Sequence, residues 1–451
     1  MKIIIVGCGR VGQTLAERLN DDGNEVTVID ISEEKVKEVT DVCDVLGVVG
    51  NGATHTTLQD AGVDTADLFI AVTNSDELNL LCCMIAKKEG RCQTIARIKN
   101  PEYSKETAYL QDELGLVMVI NPEYAAAEEI ARVLRFPSAI KIEPFANGKV
   151  ELIKFKLPKD CSLVGMSVKD MAIKLYGGVL VCAIERGDEV HIPNGDFVFE
   201  ERDVVSIVAT VKNANEFFKK IQHKGNSIKN VMVIGGGAIT HYLCGILESS
   251  GLAMKIVEKD LKTCEELASR WQKASVIHGS LHDRELLIEE GLADAGAVVA
   301  LSSSDEENIL LSLFAKETGS GKLITKIKRT DYGNVISKLD LDTTICPKNI
   351  TSDMILRYVR ATQNTQGSNI ETLYNIIEGQ VEAMEFIVKE NSPIIGVPLW
   401  QLPFKNNVLI ASISRGKQVI VPKGSDVIQA GDAVVVVSKQ MALRDVADVL
   451  Q

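Results

Sequence analysis

Ile3-Ile-Ile-Val-Gly-Cys-Gly-Arg-Val-Gly12 is an apolar run that breaks into the spacing Gly7-x-Gly9-x-x-Gly12. Lys2–Val6 reads as a strand and Arg10–Asp22 as a helix, so the glycines form a strand-to-helix turn, the context in which this spacing carries meaning. Gly7 permits the tight turn, Gly9 lets the backbone approach a pyrophosphate, and Gly12 allows close helix–strand packing. The helix start offers backbone amides and a positive dipole end to phosphates. Cys8, Arg10 and Val11 complete the loop, and Arg10 is placed to neutralise a phosphate. Eighteen residues after Gly12, Asp30 closes the next strand, Glu25–Asp30, where a carboxylate accepts from both hydroxyls of an adenosine ribose. The same carboxylate repels a 2′-phosphate, so NAD(H) or an adenine nucleotide (ADP or ATP) is favoured over NADP.

Further strands are expected at Val45–Gly50, Leu68–Thr73, Thr94–Ile98 and Val117–Ile120, and further helices at Glu33–Cys43 and Asp76–Lys88. The last helix carries Ser75 as its cap, Gly90 as its stop, and Leu78, Leu81, Cys82, Ile85 and Ala86 on one expected face. Near-continuous apolar strands alternating with helices imply a parallel, doubly wound sheet covered on both faces. Ligands of such sheets gather at the strand carboxyl ends, where Asn51, Thr73, Asn74 and Arg97 stand. Thr73 and Asn74 lie near the adenine or second-ribose position, and Arg97 within reach of a terminal phosphate. From about Ile140 the texture changes to short strands and turns, such as Glu185-Arg-Gly-Asp188 and Ile192-Pro-Asn-Gly195, which reads as a small α+β unit.

The chain then repeats. Val231-Met-Val-Ile-Gly-Gly-Gly-Ala-Ile-Thr240 echoes the opening, and Ala71-Val-Thr-Asn-Ser-Asp-Glu-Leu-Asn79 returns as Ala300-Leu-Ser-Ser-Ser-Asp-Glu-Glu-Asn308, 229 residues on. Ala96-Arg-Ile-Lys99 returns as Thr325-Lys-Ile-Lys328, and Gly187–Asp203 as Gly416–Asp432, at the same offset. A unit this long is a duplicated two-domain module, not a solenoid repeat. The 451 residues, which on length alone predict about three domains, therefore divide into four. The expected boundaries are 1–138 and 228–362 for two Rossmann-like α/β domains, and 139–224 and 370–451 for two small α+β domains. Gln222–Asn230 is the expected linker. Copy two keeps Gly235, Gly237 and the acid, as Glu258, but has Thr240 for Gly12, Ala238 for Arg10 and Lys326 for Arg97. Its site is expected to be weakened or altered.

Composition narrows the rest. The formal net charge of −13 argues against nucleic-acid binding. No apolar run reaches the eighteen residues of a bilayer span, and the glycine turn follows too soon after Met1 for a signal peptide. The ten cysteines lack disulfide-like spacing and are expected reduced and mostly buried. His278 and His282 are four apart beside Asp283, but in a loop that gives no helical face, so no metal site is expected. No nucleophile elbow, P-loop or separate catalytic domain accompanies the glycine turn, so no catalytic residue is assigned.

Taken with the A-B-A-B order, these blocks resemble the TrkA family, the cytosolic regulatory subunits of Trk potassium-uptake systems, built from tandem domains that regulate potassium conductance (RCK or KTN). The resemblance implies a non-enzymatic, nucleotide-sensing subunit that assembles into a ring, with a tetramer expected. It implies attachment to the inner face of the cell membrane only through an integral potassium transporter of the TrkH or TrkG type. Many relatives carry Asp after the third-strand glycine, where Asn51 stands here. The alternatives are an NAD-dependent oxidoreductase, motivated by the glycine loop alone, and a regulator of potassium efflux.

Overall fold

The computed structural model describes the chain except residues 105, 146–149, 158, 175–177, 188, 222–227, 320, 329–338, 340, 365–369, 378–379, 417, 440–442 and 444. Asp188 of the expected turn and most of the expected linker lie outside the described residues. The first repeat begins β1 (Lys2–Val6), α1 (Arg10–Asp21), β2 (Glu25–Asp30), α2 (Glu33–Thr40), β3 (Leu46–Val49), α3 (His55–Asp60), β4 (Leu68–Ala71), α4 (Asp76–Glu89) and β5 (Gln93–Arg97). Then come α5 (Pro101–Ser104), α6 (Thr107–Leu114), β6 (Met118–Ile120) and α7 (Pro122–Arg135). The six strands are parallel in the order β3-β2-β1-β4-β5-β6. The order reverses between β1 and β4, which puts the ligand crevice at their carboxyl ends. Ile3, Ile4 and Ile5 of β1 and all of β4 are buried, as a sheet covered on both faces requires.

Helix α2 stops at Thr40, short of the expected Cys43. The expected face of α4 needs a larger correction. Leu81 is 46 % exposed, and the buried face is Asp76, Asn79, Cys82, Cys83 and Ala86. Ser75 does cap this helix, accepting from the Leu78 amide at 3.2 Å.

Strands β7 (Ala139–Phe145) and β8 (Val150–Lys156), helix α8 (Val168–Lys174), strands β9 (Val179–Arg186), β10 (Glu189–His191) and β11 (Val204–Ala209), and helix α9 (Val211–Lys220) follow. They form an antiparallel sheet, β10-β9-β11-β8-β7, over a core that includes Phe155, Phe199 and Phe217. The recurrent Arg-Gly to Asp block is explained here. Arg186 donates from Nε and Nη2 to the two oxygens of the fully buried Asp203 carboxylate, both at 2.8–2.9 Å.

The second repeat returns as β12 (Asn230–Ile234), α10 (Ala238–Leu247), β13 (Ala253–Glu258), α11 (Leu261–Arg270), β14 (Ala274–His278), α12 (Arg284–Glu289), β15 (Ala297–Ala300), α13 (Asp305–Glu317), β16 (Lys322–Lys326), β17 (Thr343–Ile345) and α14 (Pro347–Asn364). Its parallel order, β14-β13-β12-β15-β16-β17, matches the first sheet strand for strand. Strands β18 (Ile370–Ile377), β19 (Val381–Ile387), β20 (Val408–Arg415), β21 (Gln418–Ile420) and β22 (Ala433–Lys439) rebuild the small sheet as β18-β19-β22-β20-β21, and Arg415 grips Asp432 as Arg186 grips Asp203.

Like packs on like. Met1–Ala131 and Lys229–Leu356 form one compact unit, and Arg132–Ile228 and Arg357–Gln451 another. In the first, each glycine-loop helix meets the last Rossmann helix of the other repeat. Arg18 of α1 pairs with Asp353 of α14. Tyr242 of α10 stands edge-on to Tyr124 of α7, donates to Lys99 O at 2.8 Å and accepts from Asn121 Nδ2 at 2.9 Å. In the second unit, Val150, Leu152 and Val208 of one small sheet share a buried cluster with Val381, Ala383 and Val437 of the other. Among the described residues no helix is long and apolar enough to cross a membrane.

Candidate functional site

The two glycine turns are built alike. Gly7 has φ +105° and Gly235 φ +111°, a backbone conformation that L side chains rarely adopt. A Cβ on Gly12 would lie 1.8 Å from Gly7 O, so helix and turn touch there. Gly9 differs. Its φ is −73°, open to any residue, and a Cβ there meets no protein atom within 4 Å. Nothing in the protein calls for glycine at this position; a side chain would enter the space that a pyrophosphate needs. Helices α2, α4, α9, α11, α12 and α13 carry a side-chain N-cap; α1 and α10 begin at Gly9 and Gly237 with none, as do the short helices α3 and α6 at Thr54 and Glu106. The first amides of α1 and α10 are left for a ligand, and an anion suits that dipole end. The residues therefore fit the phosphates of NAD(H) or an adenine nucleotide.

The acids after the second strands hold these turns. Asp30, half-buried, accepts from the Cys8 amide at 2.8 Å and the Ser32 amide at 2.9 Å. Burial, with Asp30 close by, pushes the Cys8 thiol up to about 12, so it stays neutral under the loop. Glu258 is 9 % exposed and accepts from the amides of Gly236, Lys259 and Asp260 at 2.6–2.8 Å.

A buried asparagine joins the neighbouring strand ends in both copies. Asn79 Oδ1 accepts from the Thr73 amide at 2.8 Å, and its Nδ2 donates to Arg97 O at 2.9 Å. Asn308 does the same between the Ser302 amide and Lys326 O. The repeated Ala-Val-Thr-Asn block is thus a clasp that fixes where residues 97 and 326 emerge. Sequence reasoning missed Asn79, although its recurrence as Asn308 was visible.

Both turns open on one cavity of about 530 Å³ within the first unit, lined by Gly9, Arg10, Val11, Asn74 and Arg97 of copy one and by Gly237, Ala238, Thr240, Lys326, Lys328 and Lys348 of copy two. Arg97 pairs with Glu123 at 3.2 Å. Burial, reinforced by Lys328, pulls the Lys326 ammonium down to about 8. Asp30 and Asn51 are not among the residues lining this cavity; Asn51 is exposed and accepts from the Ala53 amide at 3.0 Å. Thr73 is half-buried, its hydroxyl bonded to Asn79 Oδ1 at 2.7 Å. His278 accompanies Lys259 O and His282 pairs with Glu307, and no metal-binding group occurs among the described residues.

Comparison with known proteins agrees with this architecture. The TrkA-N domain model matches residues 3–122 and 231–347, and the TrkA-C domain model residues 152–222 and 383–451. The chain is 34 % identical over 458 residues to Trk system potassium uptake protein TrkA homolog 1 of Methanosarcina mazei, covering 99 % of each. It is 31 % identical over 451 residues to the TrkA homolog of Archaeoglobus fulgidus, covering 100 % of each. The GsuK channel bound to NAD shares the fold, with a TM-score of 0.65 at 14 % identity over 97 % of this chain and 77 % of that one. Two TrkA-N and two TrkA-C domains in alternation, and full-length relatives at this identity, place the chain in the TrkA family.

Proposed function

We propose that the chain is a regulatory subunit of potassium uptake that senses NAD(H) or an adenine nucleotide, ADP or ATP. The observation that carries the nucleotide reading is the pair of uncapped glycine turns facing one basic cavity. Gly7, Cys8, Gly9, Arg10, Val11 and Gly12 would cradle the phosphates, and Asp30 would accept from the ribose. Asn51, Thr73 and Asn74 would flank the base or second sugar, and Arg97 would meet the far phosphate. Gly235, Gly237 and Glu258 form the altered second turn.

Membership of the TrkA family supports an integral membrane potassium transporter as partner. We take that partner to be of the TrkH or TrkG type, with this chain as a peripheral ring, a tetramer, on its cytoplasmic face. The domain boundaries proposed are 1–138, 139–224, 228–362 and 370–451. Nucleotide would act by binding one arrangement of the ring more tightly than another, since a ligand shifts an equilibrium only by differential affinity. The oxidoreductase alternative finds no unpaired carboxylate to serve as acid or base among the described residues lining the cavity. Glu123 is the one carboxylate on its wall among the described residues, and it is engaged by Arg97 at 3.2 Å.

The test is complementation. Expressed with a Trk-type transporter in cells lacking their own regulatory subunit, the chain should restore growth at limiting potassium, and Gly9→Asp should not. Growth restored equally by both would refute nucleotide sensing at this loop.

A further inference from the structure

The wall of the shared cavity is chemically uneven. In copy one, Glu123 stands in the first turn of α7 and balances Arg97. The matching stretch of copy two, Ile345-Cys-Pro-Lys348 against Ile120-Asn-Pro-Glu123, puts a lysine there instead. Copy two thus presents Lys326 and Lys348 where copy one has a cation and its counter-charge, and Lys328 is a third.

None of the three ammonium groups forms an ion pair with a carboxylate among the described residues. The Lys326 and Lys328 ammonium groups donate only to backbone, Leu301 O at 2.9 Å and Ser303 O at 2.5 Å, while the Lys328 amide donates to the Asp305 carboxylate at 2.9–3.0 Å, and Lys348 has no side-chain partner there. An ammonium in the first turn of α14 also sits at the positive end of that helix, an arrangement unfavourable by itself and relieved by an anion. Among the described residues, five cations and one carboxylate line the cavity.

The ribose-reading acids are uneven in the opposite sense. Asp30 keeps solvent access and accepts two amides, whereas Glu258 is buried and accepts three. Since both turns open on the same space, phosphate chains from two ligands would meet there, like charge against like.

We propose that the cavity takes one nucleoside polyphosphate per chain, with copy one reading the ribose and inner phosphates and Lys326, Lys328 and Lys348 of copy two reading the terminal phosphate. The proposal rests on the nucleotide reading above. It selects among the candidate ligands by charge. A dinucleotide has only its pyrophosphate, which the first turn covers, and would turn its nicotinamide half toward the lysines. In the oxidised form that ring is itself a cation.

The experiment is calorimetric titration of the full chain with adenosine, AMP, ADP, ATP and NADH, with a chelator present so that magnesium does not mask the phosphates. The variants are Lys348→Glu, Lys328→Ala and Asp30→Ala. Wild type should bind one ATP per chain, more tightly than AMP. Lys348→Glu should weaken ATP at least about tenfold, the scale of a lost charged hydrogen bond, and AMP less than about twofold. Lys328→Ala should act in the same direction, while Asp30→Ala should weaken all five ligands together. Two ATP bound per chain, or equal losses for AMP and ATP in the lysine variants, would overturn the proposal. If wild type binds none of the five, the nucleotide reading itself fails and this inference with it.

Discussion

The Thr240 hydroxyl donates to the carbonyl oxygen of Gly235 at 2.5 Å, in the place where copy one has no side chain at all. A Cβ on Gly12 would be 1.8 Å from the matching oxygen of Gly7. One turn solves the close approach of helix and strand by omitting a side chain, and the other by standing the helix off and bridging the gap with a hydroxyl. The two loops are therefore separately fitted to their helices.

Exchanging the solutions should fail in one direction. Gly12→Thr should lower thermal stability by overpacking, about 1–3 kcal/mol, because Gly7 O cannot retreat without moving the turn. Thr240→Val, which keeps shape and removes the donor, should cost about 0.5–1.5 kcal/mol. Thermal scans of the full chain decide it; a Gly12→Thr protein as stable as wild type would show that the turn is more yielding than its contacts imply.

Gly9 should separate folding from binding. Because a Cβ there meets nothing within 4 Å and φ is ordinary, Gly9→Val should leave the melting profile in place. Nucleotide affinity should drop at least about a hundredfold, on the scale of 3 kcal/mol for a blocked pyrophosphate contact. Loss of stability in step with loss of binding would contradict this.

The two acids should divide their labour. Glu258→Ala strips three backbone amides, that of Gly236 buried, of their acceptor and should destabilise its domain more than Asp30→Ala does, the stranded buried donor alone costing about 1–3 kcal/mol. Asp30→Ala should be the variant that loses nucleotide. Hydrogen exchange at residues 235–236 against 7–8 reads the first effect and titration the second.

Alkaline pH should release the ligand. Lys326 titrates at about 8 when burial, reinforced by Lys328, opposes its charge, and Asp305 and Glu123 only partly restore it. Its ordinary value is 10.5, so between about 8 and 10.5 the unfolded chain holds more protons and this group's contribution to stability rises with pH. Binding has the opposite slope: polyphosphate affinity should fall as pH passes about 8, with proton uptake on binding in that range. Adenosine affinity should stay level. Calorimetry in two buffers of different ionisation heat measures the uptake, which Lys326→Ala should abolish.

Sheet order and duplication were legible because buried parallel strands are near-continuous apolar runs, such as Leu68–Ala71, and because distant blocks share one offset. The short helices α3 and α5 lack enough turns to show a period. Leu81 was misplaced because spacing alone cannot tell that Asn79 is held inward by the Thr73 amide and Arg97 O. The partnership of Arg186 with Asp203 was hidden for a related reason: turn residues dominate that stretch, and seventeen positions separate the pair. The exchange of Glu123 for Lys348 escaped because the offset shortens from 229 to 225 residues there. Only the structure puts both on the same wall.

The common core of the two small sheets has a bearing on how the chain is made. Val150 and Val208 leave the ribosome long before Val381 and Val437 exist to cover them, and the first Rossmann domain likewise waits for Tyr242 and Asp353. Neither compact unit is a continuous stretch, so each can close only after the second half is synthesised. Until then an apolar sheet face stays open to other nascent chains, a window for swapped or tangled pairs. A truncation after the first repeat would make that exposure permanent. Selection on this sequence must therefore act on the lifetime of a half-finished molecule as well as on the finished one.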